Sequence, residues 1–113
     1  MIGCDPGDIV LVRFPFTDLT SVKKRPVLVI SPLSYLQRYG DVVVIALTSQ
    51  DQKDAALALM EWQTAGLPKP TWVKPLIGTL AASLIERRLG GIDPHDRHCV
   101  RSAMDMLMTS DWS

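Results

Sequence analysis

The stretch Arg25-Pro26-Val27-Leu28-Val29-Ile30-Ser31-Pro32 is where the fold is decided. Val27 to Ile30 is an unbroken aliphatic run, mostly β-branched. Such side chains lose rotamer freedom in a helix and pack well on a pleated surface, so a strand is expected. Pro26 falls at its start, where a missing N–H is tolerated, and Pro32 closes it. The run is continuous rather than alternating, which implies that both faces of the strand are covered.

Working outward, Ile9 to Phe14 and Val42 to Leu47 have the same character, each bounded by Gly, Pro, Asp or Ser. A parallel pairing would need a long, usually helical crossover. The segment from Pro15 to Arg25 holds a proline and polar turn formers with no helical period, so the strands are expected to pair antiparallel. Between Pro32 and Gly40 a turn of helix and an irregular loop are equally defensible.

Beyond Gln50 the pattern weakens. Ala56 to Met60 reads as a fourth strand ending near Trp62, and Gly66-Leu67-Pro68 as the next turn. Short strands are expected at Thr71 to Lys74 and at Ile77 to Leu80, and a helical turn at Ser83 to Ile85. Glu86 to Ile92 reads as a last strand interrupted by Gly90 and Gly91. The end is sharper: Asp93 is a good N-cap, Pro94 suits the first helical position, and Asp96 puts negative charge near the positive helix end. Val100, Ala103, Met104, Leu107 and Met108 then fall on one face of a terminal helix, as core or interface packing.

Composition narrows the function classes. The chain has 113 residues, 47% of them hydrophobic and 21% charged, which suits one domain over residues 1–113 with a single core. A core of that size gains from apolar surface shared with a partner. No apolar run approaches a membrane span, and the N-terminus lacks a basic region followed by an apolar stretch, so a cytoplasmic protein is expected, with no membrane partner. Cys4 and Cys99 form no CxxC, and His95 and His98 are the only histidines; no metal or other cofactor is expected, and the cysteines read as reduced and structural. Twelve basic and twelve acidic side chains cancel, which counts against nucleic-acid binding by bulk charge. The run Lys23-Lys24-Arg25 and the pair Arg87-Arg88 still allow a local basic surface.

The segments Gly7-Asp8-Ile9-Val10-Leu11-Val12, Phe14-Pro15-Phe16-Thr17-Asp18 and Lys24-Arg25-Pro26-Val27-Leu28-Val29-Ile30-Ser31 together resemble the opening of MazF/PemK (Kid) toxins of type II toxin–antitoxin systems. Leu47-Thr48-Ser49-Gln50 looks like the family's third-strand end, Ala65-Gly66-Leu67 and Trp72-Val73-Lys74 like its middle section, and Ser83-Leu84-Ile85 through Leu89-Gly90 like its last strand. Order and spacing hold over nearly the whole chain. The resemblance implies a mostly β fold, a small SH3-like antiparallel barrel with appended helices including one at the C-terminus, assembled as a homodimer.

It also implies an activity: metal-independent, sequence-selective cleavage of single-stranded RNA, leaving 2′,3′-cyclic phosphate and 5′-hydroxyl ends and arresting growth. Carried over by position, the catalytic arginine falls on Arg25 and the catalytic threonine on Thr48. Ser49 and Gln50 stand beside the latter. The loop from Thr17 to Lys24, which borders the RNA groove in the family, offers Thr17, Lys23 and Lys24 for phosphate and base-edge contacts, and Phe16 and Trp72 are candidate stacking faces for unpaired bases. The chemistry fits these residue types. The substrate's own 2′-hydroxyl attacks, negative charge gathers on the phosphoryl oxygens, and a guanidinium meets it with a planar fork of donors. Arginine has no acceptor and stays protonated, so it serves charge stabilisation and proton donation rather than general base catalysis. Implied partners are a cognate antitoxin, whose disordered tail folds on the toxin, and DNA only through that antitoxin.

Some relatives carry an acidic residue and an arginine where this chain has Trp72-Val73-Lys74-Pro75, so those roles do not transfer. His95 and His98, at the start of the terminal helix, match no catalytic position. Two other functions share the fold: a DNA gyrase poison like the related CcdB toxins, suggested by Trp112 near the end of the chain, and a non-catalytic binding or regulatory barrel.

Overall fold

A computed structural model describes residues 3–13 and 23–112. Five strands form one antiparallel sheet in the order β4-β3-β2-β1-β5: β1 Asp8–Arg13, β2 Lys24–Val29, β3 Asp41–Thr48, β4 Trp72–Ala81 and β5 Ile85–Gly91. The helices are α1, Leu33–Tyr39, and α2, Arg97–Leu107. The mostly β, antiparallel arrangement with a C-terminal helix is therefore present. Among the described residues the sheet is open, with β4 and β5 as its two edges.

The near-continuous apolar strands are explained by burial on both faces. One face packs Ile9, Leu28, Ile45, Leu47 and Val73 against Cys99 and Ala103 of α2. The other gathers Cys4, Val10, Val12, Val27, Val29, Val42 and Val44, with Leu36 of α1 packed against them. Successive residues of one strand thus enter different cores, as the period of two requires. Each such side chain contributes on the order of 1.5–3 kcal/mol by leaving water. Cys4 and Cys99 are both free thiols in these cores.

Pro26 stands one residue before the β2–β3 ladder begins at Val27 opposite Ala46, where no backbone donor is required of it. After Pro32 the chain takes the helical alternative, and Gly40 ends α1 in the left-handed region (φ 71°), donating its N–H to the Leu36 carbonyl.

The middle of the chain corrects the sequence reading. Ala56 to Met60 is not a strand: Ala55–Leu57 is a single 3-10 turn capped by the Asp54 side chain, Ala58 makes one isolated bridge to Trp72, and turns follow from Met60 to Gly66. Leu57, Leu59, Ala65 and Leu67 are buried all the same, so the apolar spacing served burial without a ladder. The two short strands expected at 71–74 and 77–80 are one strand, β4. Ala46 faces Lys74 and Ile45 faces Ile77, leaving Pro75 and Leu76 as an insertion against β3. A proline without an N–H sits naturally at such a bulge.

β5 runs through Gly90 and Gly91 to the end of the strand, and carries an extra residue against β1 at Glu86 and at Leu89. The cap at the C-terminal end forms as expected: the Asp93 side chain accepts from the His95 N–H, and Pro94 opens a 3-10 turn leading into α2.

Candidate active site

The register of β2 on β3 builds the site. Val29 faces Val44, Leu28 faces Ile45 and Val27 faces Ala46. Continued by two residues, the same register brings Arg25 to the level of Thr48, past the end of the ladder. Alternation places both on the face of Val27, Val29, Val42 and Val44, where that buried core reaches its polar rim. On the other side Arg25 pairs with Val12. Arg25 is exposed and Thr48 half-buried.

Among the described residues Arg25 makes no ion pair, and its neighbour Lys24 does. Lys24 Nζ lies 3.1 Å from Glu86 Oε2, and Arg13 Nε lies 3.6 Å from Glu86 Oε1. The basic run is therefore divided by strand alternation. Lys24 turns to the opposite face, where the extra residue Glu86 engages it. Lys23 is exposed just before the strand. Phe16 and Thr17 lie outside the described residues.

After Thr48 the backbone is held by its own side chains. Thr48 Oγ1 accepts from the Gln50 N–H at 3.1 Å, the Gln50 carbonyl accepts from Gln52 Nε2 at 3.0 Å, and Asp51 Oδ1 accepts from the Lys53 N–H at 2.7 Å. Lys53 adopts φ 55° at this turn. These bonds fix the loop that follows Thr48 and leave the Thr48 hydroxyl proton able to donate, since a hydroxyl has two acceptor positions and one donor. Ser49 and Gln50 are exposed.

β4 adds what the sequence did not assign. Lys74 faces Ala46 and follows Val73, which enters the α2-side core, so alternation puts Lys74 on the Arg25 side of the sheet as a second, half-buried cation; Trp72, opposite Thr48 at the strand's first position, does not follow that alternation. Only long-range pairing reveals it. Trp72 is half-buried and packed against the α2-side core, which limits its use as a stacking platform.

The histidines are elsewhere. His95 Nδ1 lies 2.8 Å from Asp93 Oδ1, and His98 Nδ1 lies 2.9 Å from the His95 carbonyl, both exposed. The Asp93 carboxyl is held below the usual carboxylate range, first by the bond from the His95 N–H and then by the His95 side chain. Among the described residues no three His, Cys, Asp or Glu side chains cluster as metal ligands, and no helix is long and apolar enough to cross a membrane.

The open antiparallel sheet, with a helix packed on one face and a cation and hydroxyl at one strand mouth, defines a class of small β domains presenting polar groups at a sheet end. Within that class, the chain belongs to the PemK-like, MazF-like toxin family of type II toxin–antitoxin systems, whose family model matches residues 5–108. Three solved structures share the fold. An endoribonuclease from a mycobacterial species, solved in complex with its cognate antitoxin, is 20% identical, with 100% of each chain covered and a TM-score of 0.70. The Mycobacterium tuberculosis toxin MazF-mt6 is 19% identical, with 93% of this chain and 99% of that one covered and a TM-score of 0.72. A MazE-MazF structure from Deinococcus radiodurans is 19% identical over 91% and 94% of the two chains, with a TM-score of 0.70. No curated protein sequence matches the chain significantly.

Proposed function

We propose that this toxin is a metal-independent endoribonuclease that cuts single-stranded RNA at a short sequence. The observation that carries the reading is the placement of Arg25 and Thr48 at one level of adjacent strands, with the guanidinium outside any described ion pair. The 2′-hydroxyl of the substrate loses its proton and attacks the adjacent phosphorus. The bond to the 5′-oxygen breaks, leaving a 2′,3′-cyclic phosphate and, once that oxygen is protonated, a 5′-hydroxyl. Arg25 neutralises the charge that gathers on the phosphoryl oxygens and donates toward the leaving oxygen. Thr48 donates to a phosphoryl oxygen and fixes the phosphate for in-line attack.

Ser49, Gln50, Lys23, Phe16 and Thr17 contact the flanking nucleotides, Lys24 joins them when it exchanges Glu86 for a phosphate, and Lys74 supplies a second cation on the same face as Arg25. The protein works in the cytoplasm as a homodimer. A cognate antitoxin silences it and carries the pair to operator DNA; two of the structural relatives were solved as toxin–antitoxin assemblies, which supports that partner.

The test is incubation of the purified protein with a long single-stranded RNA in excess EDTA, beside Arg25→Ala, with both new ends mapped. Discrete cuts bearing cyclic phosphate and lost in the variant are expected. Intact RNA from a folded, toxic protein would defeat the assignment. One observation keeps a second reading in play: Trp112, past the end of α2, is 85% exposed, as a tryptophan-tipped gyrase poison would require. Removing residues 111–113 spares toxicity on the ribonuclease reading and abolishes it on the other.

A further inference from the structure

Lys74 stands half-buried on the Arg25 side of the sheet, and among the described residues no carboxylate pairs with its ammonium. The register fixes where it lies. Lys74 faces Ala46, two residues before Thr48 on β3, and Ala46 in turn faces Val27, two residues after Arg25 on β2. By ordinary sheet spacing its Cα is about 8 Å from that of Thr48 and about 12 Å from that of Arg25. The ladder to β3 breaks directly after it, at Pro75 and Leu76. A bulge of this kind adds local twist and re-aims the side chains beside it.

The offset of Lys74 from Thr48, one strand across and two residues along, is comparable to one nucleotide step of an extended single strand. The two kinds of cation also differ in what they can hold. A guanidinium presents a rigid planar fork, whereas an ammonium is a compact point charge with rotatable donors on a flexible stem. The fork suits the reacting phosphate, whose oxygens must be met in one geometry as charge gathers on them. The point charge suits a phosphate that is held in place but does not react. Partial burial of the Lys74 stem restricts its rotamers in the free protein, which lowers the entropy lost when a ligand is bound.

We propose that Lys74 anchors the phosphate next to the scissile one, so that the site spans two consecutive linkages of the RNA. This rests on the ribonuclease reading of Arg25 and Thr48. Arg25 and Thr48 hold the phosphate that reacts, and Lys74 fixes the strand on one side of it. The neighbouring phosphate keeps its charge throughout the reaction, so the contact is equally strong before and during the cut. It therefore acts through affinity rather than through the rate of the bound complex. An RNA offering only the scissile phosphate lacks this anchor.

The experiment first maps the cut made by the wild-type protein on a long single-stranded RNA, with Arg25→Ala as control. A short labelled RNA spanning that cut is then synthesised with a 2′-deoxy sugar at the attacking nucleotide, which blocks cleavage, and with a neutral methylphosphonate at one adjacent linkage or the other. Anisotropy titrations compare the wild type, Lys74→Met, which keeps an unbranched apolar stem, and Lys74→Arg, with circular dichroism verifying each fold. Lys74→Met is expected to lose about tenfold in affinity, and one of the two methylphosphonates to cost the wild type as much. The two changes together cost no more than either alone, as groups that meet each other require. The salt slope for the unmodified RNA falls by about 0.7 in Lys74→Met, and Lys74→Arg restores both slope and affinity. On the all-ribose RNA the loss in Lys74→Met falls on KM rather than on kcat. Affinity unchanged in Lys74→Met, or losses that multiply at both adjacent linkages, would overturn the assignment while leaving Arg25-dependent cleavage standing. A wild-type protein that makes no discrete cut, or one whose cuts survive Arg25→Ala, defeats the ribonuclease reading and this anchor with it.

Discussion

The carbonyl group of Ala65 rests directly on Gly90, so that a Cβ at position 90 would stand 2.7 Å from the Ala65 carbonyl carbon. The contact is reciprocal: Gly66, at φ +88°, would place its own Cβ 2.9 Å from the carbonyl carbon of Leu89. Backbone meets backbone here, and neither partner has a flexible end that can move aside. The turn preceding Leu67 is locked onto β5 by two glycines far apart in sequence.

Gly90→Ala is therefore expected to destabilise the fold by about 2–3 kcal/mol, as overpacking against backbone does. Gly40→Ala, where nothing lies within 4 Å but φ is 71°, loses only about 1 kcal/mol through the left-handed conformation. Urea denaturation of both variants measures the contrast.

Asp96 holds the same turn from the other side. It is 1% exposed, and its two oxygens accept from the Met60 and Glu61 N–H groups at 2.9 and 2.8 Å. Asp96→Ala strands two backbone donors and is expected to cost about 2–4 kcal/mol, with Asp96→Asn, which keeps one acceptor, costing less. Thermal and chemical unfolding check the order.

Burial, with the Asp96 carboxylate adding to it, pushes the Cys99 thiol up to about 11 from an ordinary 9.0, and burial raises Cys4 in the same direction. The folded state thus holds its thiol proton where the unfolded chain has begun to release it. This contribution is complete below about pH 9 and is lost as the pH rises through 11. The urea midpoint should fall between pH 8 and pH 10.5, and Cys99→Ala should flatten that fall while leaving a slope from Cys4.

Glu86 neutralises Lys24 and Arg13 at the strand mouth. Glu86→Gln should change stability by less than about 1 kcal/mol, because the pair is solvent-exposed. It should tighten single-stranded RNA binding and steepen its salt dependence by about one counterion as Lys24 is released to a phosphate. Anisotropy at several salt concentrations tests this; an unchanged slope would place Lys24 outside the RNA path.

Thr48→Val removes both the loop-fixing acceptor for the Gln50 N–H and the donor toward phosphate. Single-turnover cleavage is expected to fall about 10²-fold with substrate affinity little changed, and Thr48→Ser to restore most of the rate. A loss confined to affinity would assign Thr48 to binding alone.

Local chemistry in the sequence was enough for the three opening strands, their covered faces, the Asp93-Pro94 helix start and the buried, unpaired cysteines. The β-branched runs and the cap act within a few residues of themselves, and the same opening segments carried the family resemblance. Neighbouring residues could not decide whether Pro32 to Gly40 is helix, or that Ala56 to Met60 buries its apolar side chains in a 3-10 turn. Nor could they join Thr71 to Lys74 and Ile77 to Leu80 into one strand across the Pro75-Leu76 bulge. The candidate site divided in the same way. Arg25 and Thr48 could be named from their motifs, while three facts waited on tertiary structure: their common level, the diversion of Lys24 to Glu86, and the arrival of Lys74 beside them. Side-chain type and period are local properties of a chain; register, and with it which side chains share a face, is fixed only when distant strands pair.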